Sequence, residues 1–325
     1  MVRVLSDADV AELLSLPALL PVVEEAFVAQ GRGAVERPDR PHFPVGTGLA
    51  DDEPSGTGLV MPAYVHGHDH YATKVVGVHE GNADRGLPTV NAAVVLTEAA
   101  TGLPAAFLAG NRVTNARTGC IGGLAAREFA RTPATVGVVG AGTQARWQVR
   151  AIDAAIDVAA VRVYSPSDSR VECAADLADE LGVDAAPVDR PAAAVEGADV
   201  VVTATTSSDP VFPAAALGPG TLVVAVGAYT PGMQELPPGV FDRAAHVFAD
   251  VPEEVATVGD VADAGVDPGR LVPFSAALDG SYDRPVAPDD VVVVESVGTA
   301  VLDAAAADHL HAAAVDRGVG TTVEL

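Results

Sequence analysis

A single lysine, Lys74, stands in the stretch YATKVVGVHEGN (residues 71–82) of a chain whose other strong bases are 18 arginines. Arginine keeps its proton under all ordinary conditions, whereas a lysine ammonium can be tuned to release one. A lone lysine therefore points to a place where a proton is held and moved. Lys74 follows alternating small and β-branched residues, which puts it on a strand. Arg37, Arg40, Arg112 and Arg117 are the other cations in this region with which an anion could be gripped. For any one of these arginines, a solvated surface position is the ordinary expectation among 44 acidic residues.

A second chemical signal follows the apolar run TVGVVG. There GAGTQA fits G-x-G-x-x-A, with Gly140, Gly142 and Ala145 at the motif positions and Thr143 and Gln144 between them. The first glycine permits the tight turn and the second lets a pyrophosphate approach the backbone. The small third residue allows helix and strand to pack closely. Free N–H groups at the helix start then face the phosphates. The next strand ends in VYSPSDSR, where Ser165, Ser167 and Arg170 suit a ribose 2′-phosphate. This favours NADPH, with NADH the alternative, because Asp168 is a competing partner for a free 2′-hydroxyl.

The elements that must position these groups fall into two patterns. Ser6 with Asp9 three residues later forms a capping box for a helix whose apolar spacing runs on to Gly31. Residues 36–58, rich in Pro, Gly and Asp, read as loop or short edge strands. YATKVVGV, TVNAAVVLTEA and AAFLAG read as strands with antiparallel-style connections, the last two joined by the ATGLP turn. NARTGCIGGLAAREFAR reads as a helix. From residue 135, strands alternate with helices: TVGVVG, AAVRVYS, ADVVVTAT, GTLVVAVGA, HVFAD and DVVVVESVG are spaced for a parallel sheet with crossover helices. TAVLDAAAADHLHAAAVDRG closes the chain as a helix. The fold class is α/β.

At 325 residues, with 49% hydrophobic residues, the chain has material for two packed domains. Its net charge of −25 disfavours nucleic acid and anionic membranes as partners, since both demand basic patches. The acid excess and near-absence of lysine are also expected of a protein adapted to high salt. Cys120 and Cys173, both in helical segments, are too few for a disulfide framework or a thiolate zinc site, and no metal is expected. No basic n-region precedes an apolar run and no apolar stretch approaches membrane length, so a cytoplasmic location is expected.

MPAY (61–64), TKVVGVHEGN (73–82), GLPT (86–89), NARTG (115–119), VGVVGAGTQA, VVTAT, VGAYTPGMQEL (226–236) and ESVGTA (295–300) occur in an order that resembles the ornithine cyclodeaminase/mu-crystallin family. The resemblance spans nearly the whole chain. It implies a homodimer with a Rossmann domain at 119–301. Residues 1–118 with 302–325 would form a strand-rich α+β domain for substrate binding and dimerisation. It places the substrate-binding cations on Arg40, Lys74 and Arg117, around an α-carboxylate. Arg40 fits the family's Pro-x-Arg pattern better than Arg37. It further implies cofactor contacts at Thr203, Ala204 and Thr205, at Val226, Gly227 and Ala228, and at Ser296 and Gly298. Asn82 and Thr114 are implied pocket residues.

Two departures bear on activity. Ornithine cyclodeaminases of the family carry an aspartate where this chain has Tyr229, and a glutamate where it has Leu59. Without those acids the pocket suits a cyclic imino acid better than a diamine, so the resemblance is closest to the ketimine reductase branch. The expected reaction is reduction of a cyclic 2-carboxy imine, such as Δ1-pyrroline- or Δ1-piperideine-2-carboxylate, by NAD(P)H. Arg40 and Arg117 would hold the carboxylate, Lys74 would relay a proton, and Tyr229 would line the pocket or position a water. Ornithine cyclodeaminase, L-alanine dehydrogenase and a non-enzymatic ligand-binding protein are the alternatives.

Overall fold

The computed structural model describes residues 1–49 and 52–325. The loop expectation for residues 50 and 51 lies outside the described residues. The chain opens with β1 (Val2–Leu5), α1 (Asp7–Leu13) and α2 (Leu16–Gly31). Short β2 (Val35–Glu36) and β3 (His42–Val45) precede β4 (Gly56–Val65), β5 (His70–Val78), β6 (Val90–Glu98), β7 (Pro104–Ala109) and α3 (Gly110–Phe129). Strands and helices then alternate through β8 (Ala134–Val139), α4 (Thr143–Ala155), β9 (Val158–Tyr164), α5 (Ser169–Leu181), β10 (Asp184–Pro187), α6 (Pro191–Val195) and β11 (Val200–Thr203). Next come β12 (Leu222–Ala225), α7 (Pro238–Arg243), β13 (Ala244–Ala249), α8 (Pro252–Val255), α9 (Gly259–Asp263) and β14 (Leu271–Pro273). The chain ends with α10 (Phe274–Leu278), β15 (Val291–Glu295), α11 (Ala300–Arg317) and β16 (Thr321–Val323).

The fold is α/β, and the chain divides into two compact units. Unit 1 comprises Met1–Ser15, Ala29–Arg117 and Ala300–Leu325; unit 2 comprises Leu16–Val28 and Thr118–Thr299. The first segment is thus not continuous to residue 118, because Leu16–Val28 belongs with unit 2. The expected single N-terminal helix is likewise two. Ser6 and Asp9 form the full capping box of α1. Pro17 would clash with the Leu13 carbonyl in a continued helix, so α1 stops there and the chain re-enters helix at Leu16.

Unit 1 is built on a sheet in the order β16-β1-β7-β6-β5-β4-β2, with β3 also paired to β4. Pairing from β4 through β7 is antiparallel, while β1 runs parallel to β7 and antiparallel to β16. The terminal strands β1 and β16 close an edge of the sheet that the sequence reading left unassigned. Helix α11 packs against β4, β5 and β6. Its first eight residues are all buried, as an Ala-rich face permits close approach to a sheet.

Unit 2 is a fully parallel sheet, β10-β9-β8-β11-β12-β15-β13-β14. Every residue of β11, β12 and β15 is buried, which is why these strands read as unbroken apolar runs instead of alternating ones. Cys120 and Cys173 are free, buried thiols in α3 and α5. Burial pushes the Cys120 thiol up to about 12, which leaves it inert as a nucleophile. Among the described residues no helix is long and apolar enough to cross a membrane.

Candidate active site

The alternation along β5 decides where Lys74 points. Ala72, Lys74 and Val76 are buried while Tyr71 and Val75 are exposed, so Lys74 shares the inward face beneath α11. Its Nζ donates to Asp303 Oδ2 at 2.6 Å, and both side chains are almost wholly buried, at 2% and 1% exposure. Arg117 Nε donates to the other oxygen, Asp303 Oδ1, at 3.0 Å. Thr114 lies one turn before Arg117 on the same face of α3, and its Oγ1 reaches Asp303 Oδ1 at 3.4 Å. All of these groups belong to unit 1.

The charge arithmetic of this cluster favours an anion. Asp303 cancels one of two buried cations, and Arg40 adds its field to Lys74. Burial lowers the Lys74 ammonium to about 8; Asp303 opposes that shift, and Arg117 and Arg40 reinforce it. Burial would raise Asp303, but the Arg117 and Lys74 cations outweigh it and hold the carboxyl below its usual range. Its place in the first turn of α11 adds the favourable helix field. Arg117 Nη1 is buried without a hydrogen-bond partner. A buried guanidinium N–H left over in this way is suited to take a carboxylate as its partner.

The structure therefore brings Lys74, Arg117 and Thr114 together, with Arg40 acting on Lys74 through its charge. Asn82 is not part of the cluster. It is half-buried in the turn Glu80–Arg85, and its amide donates to the Pro88 carbonyl at 2.9 Å. Asp303 is the member that sequence reasoning missed; its one signal was an acid inside an otherwise apolar Ala-rich helix start.

In unit 2 the glycine motif has the geometry of a phosphate cradle. Gly140 follows β8 with φ of +115°, and a Cβ there would strike the Ala204 carbonyl. Around Gly142, the N-cap of α4, a Cβ would meet nothing within 4 Å, so backbone N–H groups of the first turn are open to a ligand. Thr143 and Gln144 begin that turn, and the buried Ala145 packs the helix to the sheet. These features fit a dinucleotide pyrophosphate.

Past β9, Ser165, Ser167 and Ser169 form a hydroxyl cluster, with Ser167 and Ser169 oxygens 2.7 Å apart. Arg170 Nη1 donates to the Ser167 carbonyl at 2.8 Å, and the guanidinium also lies 3.6 Å from Asp168.

A second missed residue organises the other expected cofactor contacts. Glu235 is buried and accepts from Thr203 Oγ1 at 3.0 Å, Thr205 N at 2.6 Å and Gly227 N at 2.8 Å. It thereby ties the C-terminal ends of β11 and β12, where ligands bind in open parallel sheets. Burial raises its carboxyl to about 7 despite the Thr205 and Gly227 donors. Gly227 is required here, because a Cβ would strike both Thr205 and Glu235. Ala204 N and Val226 N continue the strand pairing to Val139 and Thr203, and Ala228 is buried just beyond. Asp250 accepts from Ser296 Oγ at 2.6 Å and Gly298 N at 2.8 Å, shaping the turn after β15. Tyr229 is 41% exposed.

Known proteins resemble this chain along its whole length. The alanine dehydrogenase of Archaeoglobus fulgidus is 30% identical over 99% of this chain and 98% of its own. A Δ1-pyrroline-2-carboxylate reductase of Bacillus cereus is 32% identical over 88% of this chain and 90% of its own. The structure of Thermococcus litoralis Δ1-pyrroline-2-carboxylate reductase, a complex with NADH and L-proline, superposes with a TM-score of 0.92 at 28% identity, covering 99% of this chain and 100% of that one. With its family model matched over residues 2–318, the chain belongs to the ornithine cyclodeaminase/mu-crystallin family.

Proposed function

We propose that this protein is an oxidoreductase that reduces the C=N bond of a small cyclic 2-carboxy imine to the L-amino acid, using NADPH. The observation that carries the reading is the buried Lys74–Asp303–Arg117 cluster with its unmatched Arg117 Nη1. It offers a carboxylate a positive, desolvated seat and sets an ammonium of ordinary-pH acidity beside it. Support for the substrate class comes from Leu59 and Tyr229, which stand where the family's ornithine cyclodeaminases carry acids.

When bound, the cofactor supplies a hydride to the imine carbon; the chain's residues do the rest. Arg117 and Arg40 fix the carboxylate by charge-assisted bonds, which removes much of the entropic barrier. Lys74 holds a proton at Nζ and passes it to the imine nitrogen, raising the electrophilicity of the imine carbon. One hydride on carbon and one proton on nitrogen complete the saturated ring. Asp303 is a positioning residue: it anchors Nζ and the guanidinium and keeps two buried cations from repelling one another. The hydroxyls of Ser165 and Ser167 with Arg170 are the basis for preferring NADPH over NADH. The apolar side chains exposed on the unit 1 sheet, Phe43, Tyr71, Val75 and Val90, support a homodimer joined through that unit.

A second reading keeps the same residues and changes the imine. The alanine dehydrogenase resemblance would have the imine form from pyruvate and ammonia. One assay panel separates them: NADPH and NADH oxidation with pyrroline- and piperideine-2-carboxylate, pyruvate plus ammonia, and proline release from ornithine. Turnover of a cyclic imine supports the first reading. Turnover of ornithine alone overturns both.

A further inference from the structure

Five of the eight histidines stand in two short stretches, HGHDH at 66–70 and DHLH at 308–311. Both stretches lie in unit 1 and neither is used by the mechanism above. His70 begins β5, and Asp308 and His311 sit one turn apart on the same face of α11. His70 Nδ1 is 2.7 Å from Asp308 Oδ1, and His68 Nδ1 is 3.5 Å from Asp308 Oδ2. One donor atom from each of His70, Asp308 and His311 lies within 4.8 Å of the other two. The His70 and His311 rings meet edge to face, 5.1 Å apart at 87°.

We propose that His70, Asp308 and His311, with His68 completing the set, bind a divalent transition metal, zinc foremost. Three imidazoles and one carboxylate are borderline donors that suit zinc, whereas calcium and magnesium demand oxygen shells. Zinc–nitrogen bonds of ~2.1 Å set neighbouring donors roughly 3.4 Å apart in a tetrahedron, so the observed spacing closes by side-chain rotation alone. Asp-x-x-His on α11 presents both donors on one face, while His68 reaches Asp308 from the turn just before β5. The consequence is mechanical. The metal would fasten β5 to α11, the two elements that carry Lys74 and Asp303.

Full-length, tag-free protein stripped with a chelator and titrated with zinc chloride by calorimetry tests the site, with magnesium chloride as the control. The expected result is one zinc per chain, a zinc-dependent rise in Tm, and affinity weakened about tenfold or more in His311→Ala and Asp308→Asn. His68→Ala alters the more exposed ring and leaves the His70–His311 packing intact, so its smaller loss of affinity reads the site even if the other variants fold poorly. Absence of zinc binding, or equal affinity in wild type, His311→Ala and His68→Ala, overturns the proposal.

Discussion

Lys74 and Asp303 form a buried pair, Nζ to Oδ2 at 2.6 Å, between residues that lie 229 positions apart in the sequence. The pair makes an ammonium with a proton affinity of about 8 the centre of a carboxylate site. Removing the ammonium removes the proton source, so Lys74→Ala should lower kcat by roughly 10²- to 10⁴-fold while leaving cofactor binding unchanged. Stopped-flow NADPH oxidation with a separate fluorescence titration of cofactor measures both.

The same shift fixes a pH limb. Lys74 donates only when protonated, so kcat/KM for imine reduction should fall as pH rises through about 8. An arginine keeps its proton throughout that range. Lys74→Arg should therefore show a low rate without that alkaline limb. A wild-type profile flat from neutral pH to 10 would remove Lys74 from proton transfer.

Asp303 compensates two cations that lack solvent. Asp303→Asn leaves both uncompensated at nearly complete burial, which should cost roughly 3–5 kcal/mol of folding stability. Urea denaturation of the variant beside wild type reads that loss. A change below ~1 kcal/mol would mean that the cluster relaxes to water, contrary to the burial seen here.

The sequence made Lys74 conspicuous because composition isolates it, and its alternating neighbours place it on a strand, which β5 is; that it faces inward comes from the structure. The Rossmann half was legible because its buried parallel strands are long β-branched runs and its glycines have steric reasons. Asp303 and Glu235 were not, since an acid in a helix or loop is ordinarily solvated. Their burial comes from contacts distant in sequence: α11 laid on β5, and the ends of β11 and β12 drawn around one carboxylate. The histidine cluster was missed for a related reason. Metal ligands were sought among cysteines, while the two histidine stretches meet only through the pairing of β5 with α11.

Glu235 is the buried acceptor for three donors at the cofactor end of the sheet. Gln keeps the shape but offers one acceptor oxygen in place of two. Glu235→Gln should therefore loosen the Thr205 and Gly227 backbone and weaken cofactor affinity by about tenfold, at ~1.4 kcal/mol, with the affinity for a carboxylate inhibitor unchanged. Equal losses for both ligands would show general unfolding instead.

Arg170 tests the choice of cofactor. Its guanidinium donates to the Ser165 and Ser167 carbonyls of the loop that carries the Ser165, Ser167 and Ser169 hydroxyls, an arrangement expected to meet a 2′-phosphate. Arg170→Ala should weaken NADPH by roughly 10- to 100-fold, one charge-assisted bond of about 1.5–3 kcal/mol, and leave NADH nearly unchanged. If NADH suffers equally, Arg170 holds the loop through its bond to the Ser167 carbonyl and reads no phosphate.

The net charge of −25 sets the solution conditions in which these measurements will succeed. Surface carboxylates repel one another in dilute buffer, where the screening length is ~30 Å at 0.01 M, and cease to at ~3 Å in molar salt. Exposed pairs such as Arg190–Glu196 are weakened by the same salt, but each contributes only about 0–1 kcal/mol. Repulsion summed over the whole surface exceeds those few pairs, so Tm should rise steadily from 0.05 to ~2 M potassium chloride. Circular dichroism melts across that series check it. A fold equally stable at both ends would mean that its acids are spaced widely enough to ignore one another.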